Sequence, residues 1–475
     1  MLPDQSPNHH YTLPSLGRGM RKVTDIALPS MGSFILNHLQ NVIIGLSIGT
    51  LHDADLLASV GLGSLVANLL GFSIGIGLLS VLDSLIAQSA GAKNTSLATL
   101  QLTRGRVVVI LITIPCTIAM LMSGKLLLMV GQDPIACAYS QLFVTSSALG
   151  LLPAFLFTAD AAFLRGFHVT LPILFVNIAC SVFQVALCVF MVNYMSWGLW
   201  GAGLSTSLAN WARFVLLQLY MQKSSRHPET AQAASFAVFL SRLGEATELR
   251  GLFEFVALAV PSAGIMWCEW WVYELQAVIA GWLGIQALAA HVVCCNIEVL
   301  IYMIPLGVQQ AAAVLVGNSL GAGRPKMAIQ YSQLTMALGT VIAICVSYLV
   351  IQYRGLLSGI YSIDSIVLSQ LDSTLMIVAA YHILAAINCV FEGILRGMRL
   401  QGKVVMMKVI AMIVYQLPVA YYLSTRLGLN GVWYASISGL ILTLMAYTYV
   451  LRRANIQECA ILVMKENLVC DELLN

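Results

Sequence analysis

Charge is what this 475-residue chain has least of: Asp, Glu, Lys and Arg together make up 9% of it. Soluble globular domains carry about 25%. A water-covered surface of this size cannot be built from so few charges, which excludes a soluble α-helical enzyme. A net charge of only +3 gives no footing for nucleic acid. The 11 cysteines are scattered through apolar runs, and Cys294–Cys295 is adjacent rather than Cys-x-x-Cys, so neither a disulfide framework nor a zinc site is expected. No His-Glu-x-x-His, Ser-Lys or paired-Asp motif supports an intramembrane enzyme. The first 25 residues are polar and broken by Pro3, Pro7 and Pro14, with no cleavable apolar core.

What the chain has is apolar sequence: 59% hydrophobic residues and a mean hydropathy of +0.86. A bilayer core of ~30 Å needs roughly 20 apolar residues per helix. Twelve such runs lie near residues 27–50, 56–88, 107–130, 138–161, 170–194, 198–221, 252–281, 286–316, 333–353, 368–395, 404–425 and 429–451. They are long and do not alternate, which argues against a β-barrel. With the N-terminus placed in the cytoplasm, 20 of the 24 Lys and Arg fall on that side; Lys125, Arg354 and Arg426 fall outside. Arg213 lies within the sixth run, near enough to its cytoplasmic end to snorkel. A split this uneven predicts both the count and the orientation.

The runs also repeat. "ALPSMG" at 27–32 returns as "AVPSAG" at 259–264, and "GLLSVLDSLIAQSAGAK" from Gly77 as "GVQQAAAVLVGNSLGAG" from Gly307. "FLRG" at 163–166 returns as "ILRG" at 394–397, and "GLWG" at 198–201 as "GLNG" at 428–431. All offsets are 230–232 residues. Each copy holds six runs, and an even number inserts both copies the same way up, as in parallel-repeat transporters. The expected organisation is a cytoplasmic tail (1–22), a six-helix lobe (23–221), a cytoplasmic linker (222–250), a second six-helix lobe (251–452) and a cytoplasmic tail (453–475). The fold class is therefore an all-α membrane protein, with twelve transmembrane helices in two pseudo-symmetric lobes around a central cleft. Pro29, Pro261 and Pro305 lie inside spans, where each removes a backbone donor and bends its helix.

"ALPS" opening the first span, "VLDSLIAQSAGAKN" closing the second, "CEWWVYE" on the seventh, "YMIPLGVQQAAAVLVGNSLGAG" on the eighth and "ILRGMRLQ" after the tenth resemble the multidrug and toxic compound extrusion (MATE) transporters, eukaryotic branch, from about residue 20 to 453. The resemblance implies export of organic solutes in exchange for protons or sodium, with protons favoured in that branch. It also implies that the glutamate of the Glu-Trp-Trp motif carries the coupling.

That glutamate is Glu269, about 12 residues before Gly281 and so ~18 Å from the end of its helix. An acid inside a span is a functional hypothesis by default; it can hold either a proton or a cationic substrate. Tyr273 and Gln276, at i+4 and i+7, share its face and suggest a cleft wall. Trp270 is one of several rings able to hold an organic cation by its face. Glu274 lies ~140° around the helix and is expected towards the outer mouth. Glu298 shares a face with His291, Cys295 and Tyr302 and reads as part of a proton relay. Its place departs from the family pattern, which puts the acid at Asn296. The tenth span also departs, with Ala385 at the usual acid position; either His382 or Glu392 substitutes or the site has been lost, and for Glu392 a salt bridge to Arg396 is the plainer reading. In the repeat, Glu269 corresponds to Asn37 and Glu298 to Asn68. Amides bind solutes but carry no proton, so coupling is expected in the second lobe. Asp83 is expected to be structural or to act in gating, and Asp160 to join an inner-face ion network through Arg165.

The expected function is a secondary antiporter of organic, mainly cationic, compounds driven by protons and working by alternating access. It is expected to be monomeric and to need no cofactor or metal, in the plasma membrane or the membrane of an organelle such as the vacuole. The alternatives are a sodium-coupled exporter and a lipid or lipid-linked-oligosaccharide flippase. A flippase needs cations inside the cleft to hold phosphate, and Arg213 is the one intraspan arginine candidate.

Overall fold

In lipid every backbone N–H and C=O must be satisfied within its own segment, so long apolar runs become helices. The computed structural model describes residues 13–49, 54–223, 235–361 and 365–474, and no strand occurs among them. The first half comprises α1 (Leu16–Gly49), α2 (Ser59–Gly91), α3 (Thr95–Leu121), α4 (Pro134–Ala148 and Leu151–Gly166), α5 (Leu171–Tyr194) and α6 (Gly198–Lys223). The second half comprises α7 (Leu249–Trp282), α8 (Ile285–Gly321), α9 (Pro325–Tyr361), α10 (Ser365–Gly397), α11 (Gln401–Leu427) and α12 (Leu429–Arg453). Each of the twelve expected runs is a helix. Ten are long and apolar enough to cross a membrane, and eleven if the two parts of α4, bent by 48°, are one span. The remaining one, α6, is 26 residues long, ~39 Å at 1.5 Å per residue, but is diluted by Ser205, Thr206, Ser207, Asn210 and Arg213.

Pro29, Pro261 and Pro305 lie inside continuous helices. The first two lie within the segments of α1 and α7 that pack against the opposite half. The early part of α1, through Val23, Ile26, Ala27 and Met31, belongs to a core otherwise built chiefly from helices of the second half, among them α8, α9, α10 and α12. The early part of α7, through Phe255, Ala259 and Ala263, belongs to the core of the first half. The exchange is reciprocal. A Cβ on Gly307 would stand 2.4 Å from Met31 Cγ, and one on Gly77 would stand 3.1 Å from Ala263 Cβ. Gly77 and Gly307 are repeat mates, as are Met31 and Ala263.

A second crossing closes the end of the bundle that carries most of the basic residues, here termed the basic face. A Cβ on Gly91 would lie 2.1 Å from the Asn318 carbonyl oxygen, and one on Gly321 would lie 1.9 Å from that of Gln88. Only glycine permits such backbone contact. The side chains repeat the symmetry: Gln88 Nε2 donates to the Gly397 carbonyl at 2.9 Å and Asn318 Nδ2 to the Gly166 carbonyl at 3.0 Å. Trp267 Nε1 donates to the Ser73 carbonyl at 2.9 Å, joining α7 to the middle of α2.

Two segments expected outside the lobes pack against the helices. Part of the expected linker, residues 224–234, lies outside the described residues, as do residues 1–12 of the first tail. The later part of the linker packs on α3: Phe239 is buried, Arg106 lies over its ring at 5.7 Å, and Arg242 donates to the Ser96 carbonyl at 2.7 Å. The segment expected as a C-terminal tail forms a helix, α13 (Ile456–Leu474), which buries Ala460 and Val463 and sets Met464 beside Gly323. Its apolar residues at helical spacing explain the docking.

Candidate functional site

The seventh helix carries Glu269 at mid-length, and three neighbouring helices converge on it. Lys408 of α11 donates from Nζ to Glu269 Oε1 at 2.7 Å. Tyr302 of α8 donates to Oε2 at 3.2 Å. The same ammonium also donates to Glu392 of α10. The Glu392 carboxylate accepts from Tyr447 of α12 at 3.0 Å and from Gln309 of α8 at 3.3 Å. Five of the six helices of the second half thus meet in one polar knot. Within it Lys408 is wholly buried and the Glu392 side chain is 3% exposed, while that of Glu269 is 13% exposed. Of these three charged groups Glu269 is the one that faces accessible space. Lys408 is placed by the last α-helical turn before a π-helical stretch, Ile410–Gln416; such widened turns often mark functional sites.

Lys408 is the residue that the sequence reading missed. It was counted with the cytoplasmic charges, yet it lies within the expected eleventh run, and a lysine inside a span calls for a named acidic partner. Glu392 likewise pairs with Lys408 rather than with Arg396, because Lys408 reaches it from a neighbouring helix in a dry interior.

Glu298 lies elsewhere. Its Oε1 is 3.1 Å from His382 Nδ1, and both side chains are fully buried. Glu298 Oε2 and His382 Nε2 have no protein partner. Nearby, Cys295 Sγ meets His291 Nε2 at 3.4 Å, and the Tyr273 and Tyr381 hydroxyls meet at 2.8 Å. Tyr302 belongs to Glu269 rather than to this group. Among the described residues no cluster has the make-up of a metal site.

Other expected site residues are placed as follows. Gln276 is buried and donates to Ser436 of α12 at 2.7 Å, so it braces the bundle instead of lining a cleft. Tyr273, paired with Tyr381, also points into the second half. Glu274 is exposed and separate from the Glu269 knot. Trp270 and Trp271 are 38% and 39% exposed, and Trp271 stacks on Trp267 with ring planes 5° apart. Asn37 is half-buried with an unpartnered Oδ1, and Asn68 is exposed.

The first half holds its charges differently. Asp160 accepts from Arg106 Nε at 3.0 Å and from Gln218 at 2.7 Å; its partner is Arg106, not Arg165. Arg165 instead bonds Asp83 at 2.9 Å, pinning α4 to α2. Arg213 does not snorkel: it is buried, held by Gln40 and by Asn210 Oδ1 at 3.0 Å.

Helical spans in two reciprocally crossed halves, with a buried acid knot in one of them, define a polytopic transport protein of parallel-repeat design. A family model described as MatE matches the chain twice, over residues 29–190 and 261–422, once in each half. The chain belongs to the MATE family of multidrug and toxin extrusion transporters. It is 28% identical to the rabbit (Oryctolagus cuniculus) multidrug and toxin extrusion protein 1 over 416 residues, covering 87% of this chain and 71% of the relative. The human (Homo sapiens) protein of the same name is also 28% identical, over 86% of this chain and 69% of the relative. The fold matches the crystal structure of the eukaryotic MATE transporter AtDTX14 with a TM-score of 0.87 at 23% identity, covering 95% of this chain and 99% of that one. A MATE family transporter solved in an outward-facing conformation matches at a TM-score of 0.80 and 16% identity, over 93% and 96%.

Proposed function

We propose that this transporter exports organic cations in exchange for protons, with Glu269 as the seat that the two occupy in turn. The observation that carries this reading is the Glu269 carboxylate itself. It sits at mid-helix among apolar residues, bonded to Lys408 and Tyr302, and of the three charged groups in the knot it is the one with an exposed edge. A proton added there, or a cation brought to that edge, changes the charge of the same group, which is the requirement for exchange. The partly exposed ring of Trp270, the next residue, offers a face worth ~0.5–2 kcal/mol to a cation. The buried Glu298–His382 pair is a second place where a proton can reside. A lipid or lipid-linked flippase needs an uncommitted cation at its seat, whereas Lys408 is committed to two carboxylates.

The basic face is the cytoplasmic one in this reading, with both termini there, in the plasma membrane or that of an organelle. Alternating access follows from the reciprocal crossings. The α2–α8 contact closes the cytoplasmic end, and cargo is released when the opposite end opens. The test is uptake of a labelled organic cation into proteoliposomes under an imposed pH gradient or sodium gradient. Wild type should respond to the pH gradient, and Glu269→Gln should lose about a hundredfold in gradient-driven rate, ~2.7 kcal/mol. Undiminished pH dependence in the variant removes Glu269 from the mechanism, and a response to sodium alone replaces the proton.

A further inference from the structure

We infer that Lys408 sets the valence of the seat: with it in place, the knot accepts one positive charge at a time, so the cargo is a monovalent organic cation. This rests on the exchange role proposed for Glu269. Two carboxylates and one ammonium leave a single negative charge when all three are ionised. All four carboxylate oxygens have a partner, and Lys408 supplies one to each glutamate. Lys408 is buried behind Glu269, so a cargo reaching the exposed edge of Glu269 does not meet the ammonium first. Glu392 also lies behind. Its charge is cancelled by Lys408, and Tyr447 and Gln309 hold it in position. What remains to be neutralised is one charge, at Glu269. Taken from water, an uncompensated charge in such a place costs several kcal/mol, which favours loading with one proton or one monocation and disfavours zero or two. Arg396, one turn past Glu392 on the same helix, is buried and acts on Glu392 through space but makes no hydrogen bond to either glutamate among the described residues; it is unchanged in every variant below, so differences between variants report the knot. The Glu298–His382 pair is held separately and is also unchanged.

The repeat isolates the device to one half. At offsets of 231–232 residues the counterparts of Glu269, Glu392 and Lys408 are Asn37, Ala161 and Asn177, none of them charged.

The experiment uses the full-length protein in proteoliposomes, with tetraethylammonium as monocation and methyl viologen as dication, in wild type, Glu392→Gln, Lys408→Met and the double variant. Glu392 touches no cargo in this scheme, yet Glu392→Gln leaves a neutral Glu269–Lys408 pair. It should therefore lose tetraethylammonium uptake by tenfold or more. The double variant restores one negative charge and should recover to within about threefold of wild type, a difference worth less than ~1 kcal/mol. Lys408→Met alone leaves two negative charges and should move the methyl viologen to tetraethylammonium ratio at least tenfold towards the dication. A merely structural lysine predicts the opposite for the double variant, which removes more of the network and should be worse than either single change. Normal uptake by Glu392→Gln overturns the inference, as does failure of the double variant to exceed Glu392→Gln. If Lys408→Met does not fold, those two variants decide it. If wild type carries neither cation, the exchange function itself falls, and the inference with it.

Discussion

The two halves of this transporter share a frame and differ in how they hold buried charge. Among the described residues, each buried acid of the first half is gripped by an arginine: Asp160 by Arg106 and Asp83 by Arg165. In the second half Glu269 and Glu392 share one lysine, and Glu298 pairs with a histidine. Guanidinium is always charged and holds a carboxylate with a rigid fork, whereas ammonium is a compact charge on a flexible stem and imidazole can lose its proton. An acid matched by arginine is a fixed part of the frame. Acids that outnumber their cations leave charge to be satisfied from outside, and that is the condition for exchange. On the exchange role proposed for Glu269, a repeat that duplicates the scaffold has specialised one copy for chemistry and the other for support.

The sharpest way to break this comparison is to remove one cation from the first half. Arg106→Met leaves Asp160 fully buried with Gln218 alone. Breaking a buried pair by removing one partner costs about 3–5 kcal/mol. Thermal unfolding in detergent should fall by a corresponding margin, and the yield of folded protein with it. Glu269→Gln should differ in kind, because Lys408 keeps Glu392 as its partner. Its stability should stay within ~1 kcal/mol of wild type, the scale of one hydrogen bond, while its transport collapses. Equal stability losses in the two variants would mean that both halves use buried charge in the same way.

A second prediction addresses what the halves have in common. Gly91 and Gly321 meet backbone across the basic face in symmetric fashion. Adding a methyl to either forces α2 and α8 apart, at an overpacking cost of about 1–3 kcal/mol. Gly91→Ala and Gly321→Ala should each open that face. Faster hydrogen exchange at the basic-face ends of α2 and α8 reads this, and the two variants should agree to within about 1 kcal/mol if the crossing is as symmetric as its contacts.

The scaffold was legible in the sequence because its signals are one-dimensional. Runs of about 20 apolar residues give helices, and a constant offset of 230–232 gives two halves. Glu269 stood out for the same reason, as an acid within such a run. The knot around it did not. Glu269 and Lys408 are 139 residues apart, and Glu392 comes from a third helix; no periodicity along the chain encodes which face of α11 meets which face of α7. Counting charge for topology also favoured the wrong reading of Lys408, since a lysine near a span end is ordinarily at the membrane surface. Helical spacing likewise put Tyr273 and Gln276 on the face of Glu269, as the spacing requires, but that face looks into its own half, where Tyr381 and Ser436 take their polar atoms. Periodicity tells which residues look the same way, and only packing tells what they look at.

The smallest effect tests the finest grain of the symmetry. Gln88 and Asn318 are repeat mates, and each reaches across the crossing to a glycine carbonyl of the other half. A neutral hydrogen bond contributes about 1 kcal/mol net, so simple symmetry predicts equal losses for Gln88→Ala and Asn318→Ala. The surroundings are not equal. Gln88 is fully buried with its Oε1 unpartnered, so removing the side chain also removes a standing desolvation cost. Asn318 carries no such defect, and its Nδ2 makes a further bond to the Val314 carbonyl at 3.1 Å. Asn318→Ala should therefore loosen the basic face by about 1 kcal/mol and Gln88→Ala by roughly half of that, read by hydrogen exchange at the same helix ends. A larger loss for Gln88→Ala would show that its carbonyl oxygen has a partner, a buried water for instance, and that the clasp is anchored from the first half after all.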